Sequence, residues 1–315
     1  MKKVILFSFI TILSIALIKY FIFSVDNPDD EYSKLFKENN HTYALNTPTE
    51  LSFASEPVPL TIFDVRERMD RELMVNVYWQ SQTLLLIKRA HRWFPVMEPI
   101  LKKNNVPDDF KYLSVAESGL TNVVSPANAV GFWQFVEATG KTHGLEINDE
   151  VDERYSIERS TEAACNYFNN AYAQFGSWAL VAASYNMGTT GLDKQIEKQK
   201  VRNYYDLLLN DETFRYVFRI LAIKEVFTHP VQYGFYFRLQ DLYAPFENTI
   251  VTVDSSISDL ADFSIQNKIN YKTLKLLNPW LRQNYLTNKD RKKYSIKILK
   301  PGFTGLEENG TEKLK

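Results

Sequence analysis

The chain has 315 residues, and its 37 Lys and Arg against 38 Asp and Glu give a formal net charge of -1. This balance leaves no overall positive field to hold a nucleic acid backbone, which argues against nucleic acid partners. The length is sufficient for two domains, the larger of which can bury a full hydrophobic core.

The cysteine and histidine content predicts neither a disulfide framework nor a metal site. Cys165 is the single cysteine and lies between small and aromatic residues, so we expect a buried thiol. The four histidines are His41, His91, His143 and His229. They show no HxxxH or HxH spacing and offer no zinc ligand set. We therefore expect no metal and no other cofactor.

The first 25 residues predict an export signal. Two lysines precede an apolar run over residues 4–18, and apolar residues resume after Lys19 up to position 25. No A-x-A cleavage site follows, so a cleaved signal peptide and an uncleaved anchor over residues 4–25 both stay open. The lysines before the run and the acidic residues after it place the bulk of the chain outside the cytoplasm.

The middle of the chain predicts a helical domain that follows a tether. Residues 26–60 are rich in Asp, Asn, Ser, Thr, Pro and Glu, which is typical of a tether. From Phe63 to about Phe227 apolar residues recur at helical spacing, and small polar segments separate the helices. We expect about eight short helices and no substantial sheet, and we place this mainly α domain at residues 61–245.

Residues 246–303 predict a second, smaller module. In it NTIVTVDSS and KKYSIKILKP alternate as short strands, and SDLADFSIQNK and YKTLKLLN between them are typical of two short helices. The predicted order is β-α-α-β. Residues 304–315 contain too few apolar side chains to fold, and we expect them to form a tail.

A single carboxylate, Glu117, interrupts the apolar and small run KYLSVAESGL. A helix that opens at Pro107 would end at Gly119. Phe110, Leu113 and Glu117 would share one of its faces. Burial raises the pKa of a carboxyl group, as a general acid near neutral pH requires. The alternative is a glutamate that pairs with a buried arginine or caps a neighbouring helix.

The loop after this helix contains SPANAVGFWQF, in which four consecutive residues have features suited to a sugar. Gly131 allows a close backbone approach, Phe132 and Trp133 supply aromatic faces, and Gln134 supplies an amide. Aromatic faces bind the apolar side of a sugar ring, and amides fix its orientation. Taken singly, Phe132 and Trp133 are more typical of a hydrophobic core than of a sugar site.

Two further segments combine polar and aromatic residues. WALVAASYNMG is an apolar helix that ends in Tyr185 and Asn186, and a buried polar pair of this kind needs partners or a ligand. ETFRYVFRILAIKE places Tyr216 and Arg219 three residues apart on one face of a predicted amphipathic helix.

Together, four segments in this order resemble the lytic transglycosylases with the goose-type lysozyme fold, in the branch of membrane-bound lytic murein transglycosylase D. They are ES at 117–118, SPANAVGFWQF at 125–135, SYNMG at 184–188 and ETFRYV at 212–217. VPDDFKYLSVAES, VDER at 151–154 and STEAA at 160–164 extend the resemblance, which covers about residues 66–235. It implies a lysozyme-like helical catalytic domain. Asn128 stands where this family usually has Gly, and both residue types tolerate a left-handed backbone.

The resemblance also implies a mechanism with one glutamate as both acid and base. Glu117 would protonate the oxygen of the β-1,4 bond between N-acetylmuramic acid and N-acetylglucosamine. It would then take the proton of the C6 hydroxyl as that oxygen closes on C1, which gives a 1,6-anhydro product without water. The acetamido group of the substrate would assist, and Tyr216 would hydrogen-bond that group or Glu117.

The same resemblance implies a set of substrate-binding residues. They are Ser118, Ser125, Gly131, Phe132, Trp133, Gln134, Tyr185, Asn186 and Gly188. Glycosidases commonly use two carboxylates, although substrate-assisted families do not. The carboxylates Glu137, Glu146, Asp149, Asp152 and Glu153 lie in a different loop and match no catalytic position of the family.

The β-α-α-β module resembles a degenerate lysin-motif (LysM) module, a small fold that binds N-acetylglucosamine chains, with DSS at 254–256 where GDT is usual. The alternative is a packing domain that covers one end of the catalytic helices. The overall expectation is a peptidoglycan lytic transglycosylase on the periplasmic side of a bacterial cell envelope, attached to the membrane if residues 4–25 are kept. A hydrolytic muramidase and a catalytically idle peptidoglycan-binding scaffold stay open.

Overall fold

The structure, a computed structural model, describes residues 42–305 together with Ser33, Lys34 and Glu38. The apolar run of residues 4–25, for which the sequence left a signal peptide and an anchor open, lies outside the described residues. Within the described part of the chain, no helix is long and apolar enough to cross a membrane.

Eight α-helices follow one another in the described chain between positions 63 and 228. They are α1 (Phe63–Tyr78), α2 (Gln80–Lys103), α3 (Lys111–Ser118), α4 (Glu137–Thr142), α5 (Ile157–Phe175), α6 (Trp178–Met187), α7 (Thr189–Gln199) and α8 (Asp211–Thr228). This confirms the mainly α fold class. Helix α2 is longer than expected because it runs on through Pro95 and Pro99, residues that normally end a helix.

Helix α8 lies at the centre of the helical domain, where it packs against α1, α3 and α6. Its sequence has apolar residues on most of its surface, and Val217, Phe218, Ile220 and Leu221 are fully buried. A helix that is apolar nearly all round requires neighbours on all sides. The central position of α8 brings Tyr216, on the same helix, next to the end of α3.

The tether expected over residues 26–60 ends earlier than the sequence indicated. Two short strands, β1 (Ser52–Phe53) and β2 (Glu56–Pro57), pair as an antiparallel hairpin. The fully buried ring of Phe53 lies 5.4 Å from the ring of Phe110. Each strand has only two residues, so no alternation of apolar and polar residues is visible in the sequence.

The hairpin also caps helix α6 through Glu56. Its carboxylate accepts hydrogen bonds from the backbone N–H of Trp178 at 2.7 Å and of Ala179 at 3.2 Å. It also accepts one from the hydroxyl of Ser177 at 2.9 Å. The carboxylate thus satisfies N–H groups that have no partner within the helix and lies at the positive end of the helix dipole.

The C-terminal module has the β-α-α-β order predicted from the sequence. Its elements are β3 (Asn248–Val253), α9 (Leu260–Gln266), α10 (Tyr271–Leu277) and β4 (Tyr294–Leu299). Strands β3 and β4 pair in antiparallel register. Ile296 and Ile298 alternate inward from β4 and are buried against Leu260 and Leu274 of the two helices.

The module packs directly on the helical domain. Val151 of the helical domain is 2% exposed and belongs to the apolar cluster of the module, where it forms a β-bridge with Leu281. Glu146 accepts a hydrogen bond from the Tyr294 hydroxyl at 3.1 Å. The module therefore makes the packing contacts with the helical domain that one of the two sequence-based alternatives predicted.

Candidate active site

A groove of about 530 Å³ crosses the helical domain. Its walls come from the end of α3, the loop over residues 125–136, the end of α6 and the first half of α8. Seven of the predicted site residues line it, namely Glu117, Ser125, Gln134, Tyr185, Asn186, Gly188 and Tyr216. The four sequence segments that were far apart in the chain therefore meet at one surface.

Helix α3 holds Glu117 as its sequence predicts. A 3-10 turn over Asp108–Phe110 leads into the helix, and Gly119 ends it in a left-handed conformation with φ of 58°. Phe110 and Leu113 are fully buried on the face that carries Glu117. Because Glu117 lies at the last turn of this apolar face, its side chain is half-buried at the groove.

The protonation of Glu117 is controlled by burial and by three neighbours. Burial raises the pKa of its carboxyl above the ordinary value, and the negative charge of Glu212 acts in the same direction. A hydrogen bond from the hydroxyl of Tyr216 and the positive charge of Arg219 lower it. A carboxyl whose pKa is raised, at an open groove, can hold a proton and deliver it to a bound ligand.

Tyr216 is 1% exposed, and its hydroxyl donates to Oε1 of Glu117. Burial raises the pKa of Tyr216 well above its ordinary value, so the hydroxyl keeps its proton and stays a donor. Burial raises the pKa of Tyr185 in the same way, and its hydroxyl donates to the backbone oxygen of Trp133 at 2.6 Å. Both tyrosines thus act as fixed hydrogen-bond donors beside the carboxyl.

The loop over residues 125–135 has a tightly specified backbone. Asn128 has φ of 58°, the left-handed conformation expected from its place in the sequence. Gly131 has φ of 81°, and a Cβ atom at this position would lie 2.1 Å from the backbone oxygen of Arg154. No side chain fits there. The Oγ of Ser125 accepts a hydrogen bond from the N–H of Ala129 at 3.0 Å and closes the turn.

Gln134 lines the groove from a conformation that is uncommon outside glycine, with φ of 52°. Its side-chain nitrogen donates to the backbone oxygens of Gly131 at 2.8 Å and Val123 at 3.1 Å. These bonds fix the amide against its own loop. The side chain is therefore held in place before any ligand binds.

Phe132 and Trp133 do not line the groove, although the sequence offered them as sugar-stacking residues. Their side chains are 3% and 0% exposed and belong to the core, which was the alternative reading. Phe132 contacts Trp93 edge to face at 5.1 Å. The indole N–H of Trp133 donates to the hydroxyl of Thr161 at 2.9 Å. The aromatic rings at the groove belong instead to Phe135, Tyr167, Tyr185 and Tyr216.

Ser118 and Asn186 hold the walls of the groove together. The hydroxyl of Ser118 contacts the backbone oxygens of Phe132 at 2.9 Å and Ser114 at 3.1 Å, which ties α3 to the loop. The side-chain oxygen of Asn186 accepts a hydrogen bond from the Thr213 hydroxyl at 2.7 Å, which ties α6 to α8. Ser118 therefore supports the site without being part of its lining.

Sequence reasoning did not assign Glu212 to the site, although it quoted this residue in a motif. Glu212, Tyr216 and Arg219 stand at steps of four and three along α8, so they share one face and all line the groove. This spacing is the sequence feature that could have assigned Glu212 to the site. Glu212 is the second carboxylate among the described residues that line the groove, beside Glu117.

Family models match two parts of the chain. The model of the transglycosylase SLT domain matches residues 95–208, which include Glu117, the loop and the end of α6. The model of the soluble lytic transglycosylase C-terminal LysM-like domain matches residues 249–302, which are the β-α-α-β module.

Curated relatives agree with these matches. The chain is 31% identical to membrane-bound lytic murein transglycosylase D of Escherichia coli (strain K12) over 176 residues, which are 54% of this chain and 38% of that relative. The same protein of Escherichia coli O6:H1 gives the same values. A protein of Alteromonas sp. (strain M-1), named for tributyltin chloride resistance, is 26% identical over 36% of this chain and 56% of its own length.

The matched region thus spans less than two fifths of the murein transglycosylase D relatives. The SLT match over residues 95–208 contains the ES, GFWQF and SYN segments, which contribute Glu117, Gln134 and Tyr185 to the groove lining. The helical domain therefore contains a region, residues 95–208, that matches a transglycosylase SLT domain, and the β-α-α-β module that follows it matches a LysM-like C-terminal domain.

Proposed function

We propose that this protein is a peptidoglycan lytic transglycosylase that cleaves the β-1,4 bond between N-acetylmuramic acid and N-acetylglucosamine. The observation that carries the proposal is the half-buried carboxyl of Glu117, which receives a hydrogen bond from Tyr216 at the groove. The SLT and LysM-like matches and the names of the relatives support peptidoglycan as the substrate.

In the first step Glu117 acts as the general acid. It delivers its proton to the glycosidic oxygen as the bond to C1 breaks, and the leaving sugar departs as a neutral alcohol. Burial supports this step because it raises the pKa of Glu117 and so favours the protonated form. The acetamido oxygen of the muramic acid residue bonds to C1 as the glycosidic bond breaks, and the acetamido nitrogen shares the resulting positive charge.

In the second step Glu117 acts as the general base. The carboxylate takes the proton of the C6 hydroxyl while O6 bonds to C1 and the acetamido group is released, which gives the 1,6-anhydro sugar. The carboxylate needs stabilisation at this stage, and the Tyr216 hydroxyl and the Arg219 charge supply it. Ser125, Gln134 and Asn186 bind the glycan in the groove.

The carboxylate of Glu212 supports a second candidate function, which is hydrolysis of the same bond by a muramidase. A carboxylate at the groove can activate water, as the base of an inverting glycosidase does. The two candidates differ in their products. A transglycosylase leaves 1,6-anhydro-muramyl ends, whereas a muramidase leaves reducing muramyl ends.

Mass spectrometry of the soluble products from purified peptidoglycan tests the proposal. The full chain is compared with Glu117→Gln, and Glu137→Gln is the matched control because Glu137 is an exposed glutamate of α4 outside the groove lining. We expect anhydro-muramyl ends from the wild type and the control, and a loss of at least about 10²-fold in Glu117→Gln.

Two other outcomes contradict the proposal. Reducing muramyl ends assign the protein as a muramidase. No product from the wild type, together with retained binding to the polymer, assigns it as a binding scaffold. We further propose that the protein acts at the cell envelope on the periplasmic side, with residues 4–25 as its export signal or anchor; the name of the murein transglycosylase D relatives supports this.

A further inference from the structure

The VDER segment at residues 151–154 lies outside the groove lining, and the mechanism above gives it no role. In the structure it contacts the groove loop on one side and the C-terminal module on the other. Arg154 is 8% exposed and Asp152 is 6% exposed, so two opposite charges are buried next to the loop. Burial of charges is costly, and such groups require specific partners.

Arg154 contacts the loop at Asn128 and Phe135 and lies against Gly131 between them. Its Nη1 donates to the backbone oxygens of Asn128 and Phe135, each at 3.3 Å. Its own backbone oxygen occupies the space beside Gly131 that a Cβ atom would need. The guanidinium therefore spans the segment that presents Gln134 to the groove.

The loop requires external support of this kind. Asn128 and Gln134 both have positive φ, at 58° and 52°. Asparagine tolerates this conformation, whereas it is strained for Gln134, and such strain persists only where the surroundings fix the backbone. Hydrogen bonds from Arg154 to the backbone oxygens of Asn128 and Phe135 supply that constraint.

Asp152 fixes the orientation of Arg154. Its carboxylate accepts hydrogen bonds from Nε of Arg154 at 2.9 Å and from Nη2 at 2.7 Å. This two-point contact determines the plane of the guanidinium, so Nη1 remains directed at the loop. The pair thus sets both the position and the direction of the donor.

The segment is in turn held by the C-terminal module. The backbone N–H of Asp152 donates to the backbone oxygen of Trp280 at 2.9 Å, and the N–H of Arg282 donates to the backbone oxygen of Glu150 at 2.8 Å. Thr287 donates to the Glu150 carboxylate from its N–H at 2.7 Å and its hydroxyl at 2.6 Å. Hydrogen bonds thus run from the module to the loop.

The geometry points to Arg154, oriented by Asp152, as the positioning residue that holds the groove loop over residues 125–135 in its substrate-binding conformation. Arg154 acts through the loop and does not touch the substrate. This inference rests on the proposed function for its kinetic consequence, but its structural consequence is independent of activity. The loop carries Ser125 and Gln134 but not Glu117, so loss of positioning raises KM more than it lowers kcat.

The test uses Arg154→Lys in the full chain, with Arg159→Lys as the matched control. Arg159 pairs with Glu153 at 3.0 Å from a more exposed position, and the other hydrogen bonds of its side chain go to Glu162 and to the backbone oxygen of Gly144, so it does not reach the loop. Lysine keeps the charge but cannot reproduce the planar fork. Kinetics on a soluble glycan oligomer should show a loss of about 10²-fold in kcat/KM for Arg154→Lys, carried mainly by KM, and no change for the control.

Hydrogen exchange of backbone amides gives a readout that does not depend on catalysis. We expect the amides of Val130, Gln134 and Phe135 to exchange faster in Arg154→Lys, while amides within α5 keep their protection. If Arg154→Lys does not fold, Asp152→Asn replaces it, because it removes the charge that orients the guanidinium at nearly constant volume.

Two results overturn the inference: loop amides that exchange at the wild-type rate, or a kcat/KM within about twofold of the wild type in a folded variant. Failure of the proposed function has a different signature. In that case the wild type gives reducing muramyl ends or no product, whereas the change in loop exchange in Arg154→Lys remains.

Discussion

At the scale of single residues, the environment of Glu117 determines how activity depends on pH. The pKa of this carboxyl is raised by burial and by the charge of Glu212, and it is lowered by the Tyr216 hydrogen bond and by the charge of Arg219. The general acid must be protonated in the free enzyme. The value of kcat/KM therefore falls as the pH rises through the pKa of Glu117.

Two substitutions should move this alkaline limb in opposite directions. Arg219→Gln removes a positive charge that favours the carboxylate, so the pKa of Glu117 rises and the limb moves to higher pH. Glu212→Gln removes a negative charge that disfavours the carboxylate, so the pKa falls and the limb moves to lower pH. The measurement is the pH profile of kcat/KM for the three proteins. Shifts in the same direction would contradict this account of the site.

The residue scale also shows how far sequence reasoning reaches into the site. Glu117 could be placed because steps of three and four relate it to Phe110 and Leu113 on one helix. Phe132 and Trp133 lie in a loop, where no period tells which way a side chain points, and a tight turn directs both rings into the core. Their orientation depends on packing against distant residues, which a single sequence does not display.

At the scale of elements, the N-terminal hairpin stabilises the start of a helix that ends in the groove. Glu56→Ala removes the acceptor of the two backbone N–H groups and of the Ser177 hydroxyl at the start of α6. We expect a loss of about 1–2 kcal/mol in the free energy of unfolding, measured by urea denaturation.

The exposed Glu50 provides the control for this prediction, because Glu50→Ala alters a carboxylate in the same segment without touching α6. We expect a change of no more than about 0.5 kcal/mol for the control. Equal losses in the two variants would show that the carboxylate of Glu56 does not act as a cap.

The helices and the β-α-α-β module could be predicted from the sequence because periodicity is a local property. The hairpin could not, since its role depends on a contact between Glu56 and a helix that begins 122 residues later in the chain. The same holds for the contact of Arg154 with Asn128 and Phe135. Hydrogen bonds between residues far apart in the chain produce no periodic sequence pattern, so they cannot be predicted from the spacing of residues.

At the scale of the whole molecule, the module and the helical domain share one hydrophobic cluster. Val151 belongs to that cluster and is 2% exposed in the presence of the module. A chain that ends at residue 245 would expose Val151 and leave the backbone oxygen of Glu150 and the backbone N–H of Asp152 without their partners in the module. Exposed apolar surface of this kind promotes association.

We therefore expect a chain cut after residue 245 to aggregate and to bind a hydrophobic dye, as measured by light scattering and dye fluorescence. A chain cut after residue 305 is the control, because it keeps the whole β-α-α-β module, and it should behave as the full chain does. A monomeric protein with an unchanged melting temperature after the cut at 245 would show that the shared cluster does not contribute to stability.

The burial of Phe132 and Trp133 has a consequence for how this groove tolerates evolutionary change. Near the acid, these two positions present backbone oxygens, which accept hydrogen bonds from Ser118 and Tyr185, while their side chains fill the interior. Selection at these positions therefore acts on volume and shape more than on recognition. An apolar substitution of Phe132 that conserves its volume should therefore leave the lining of the groove unchanged.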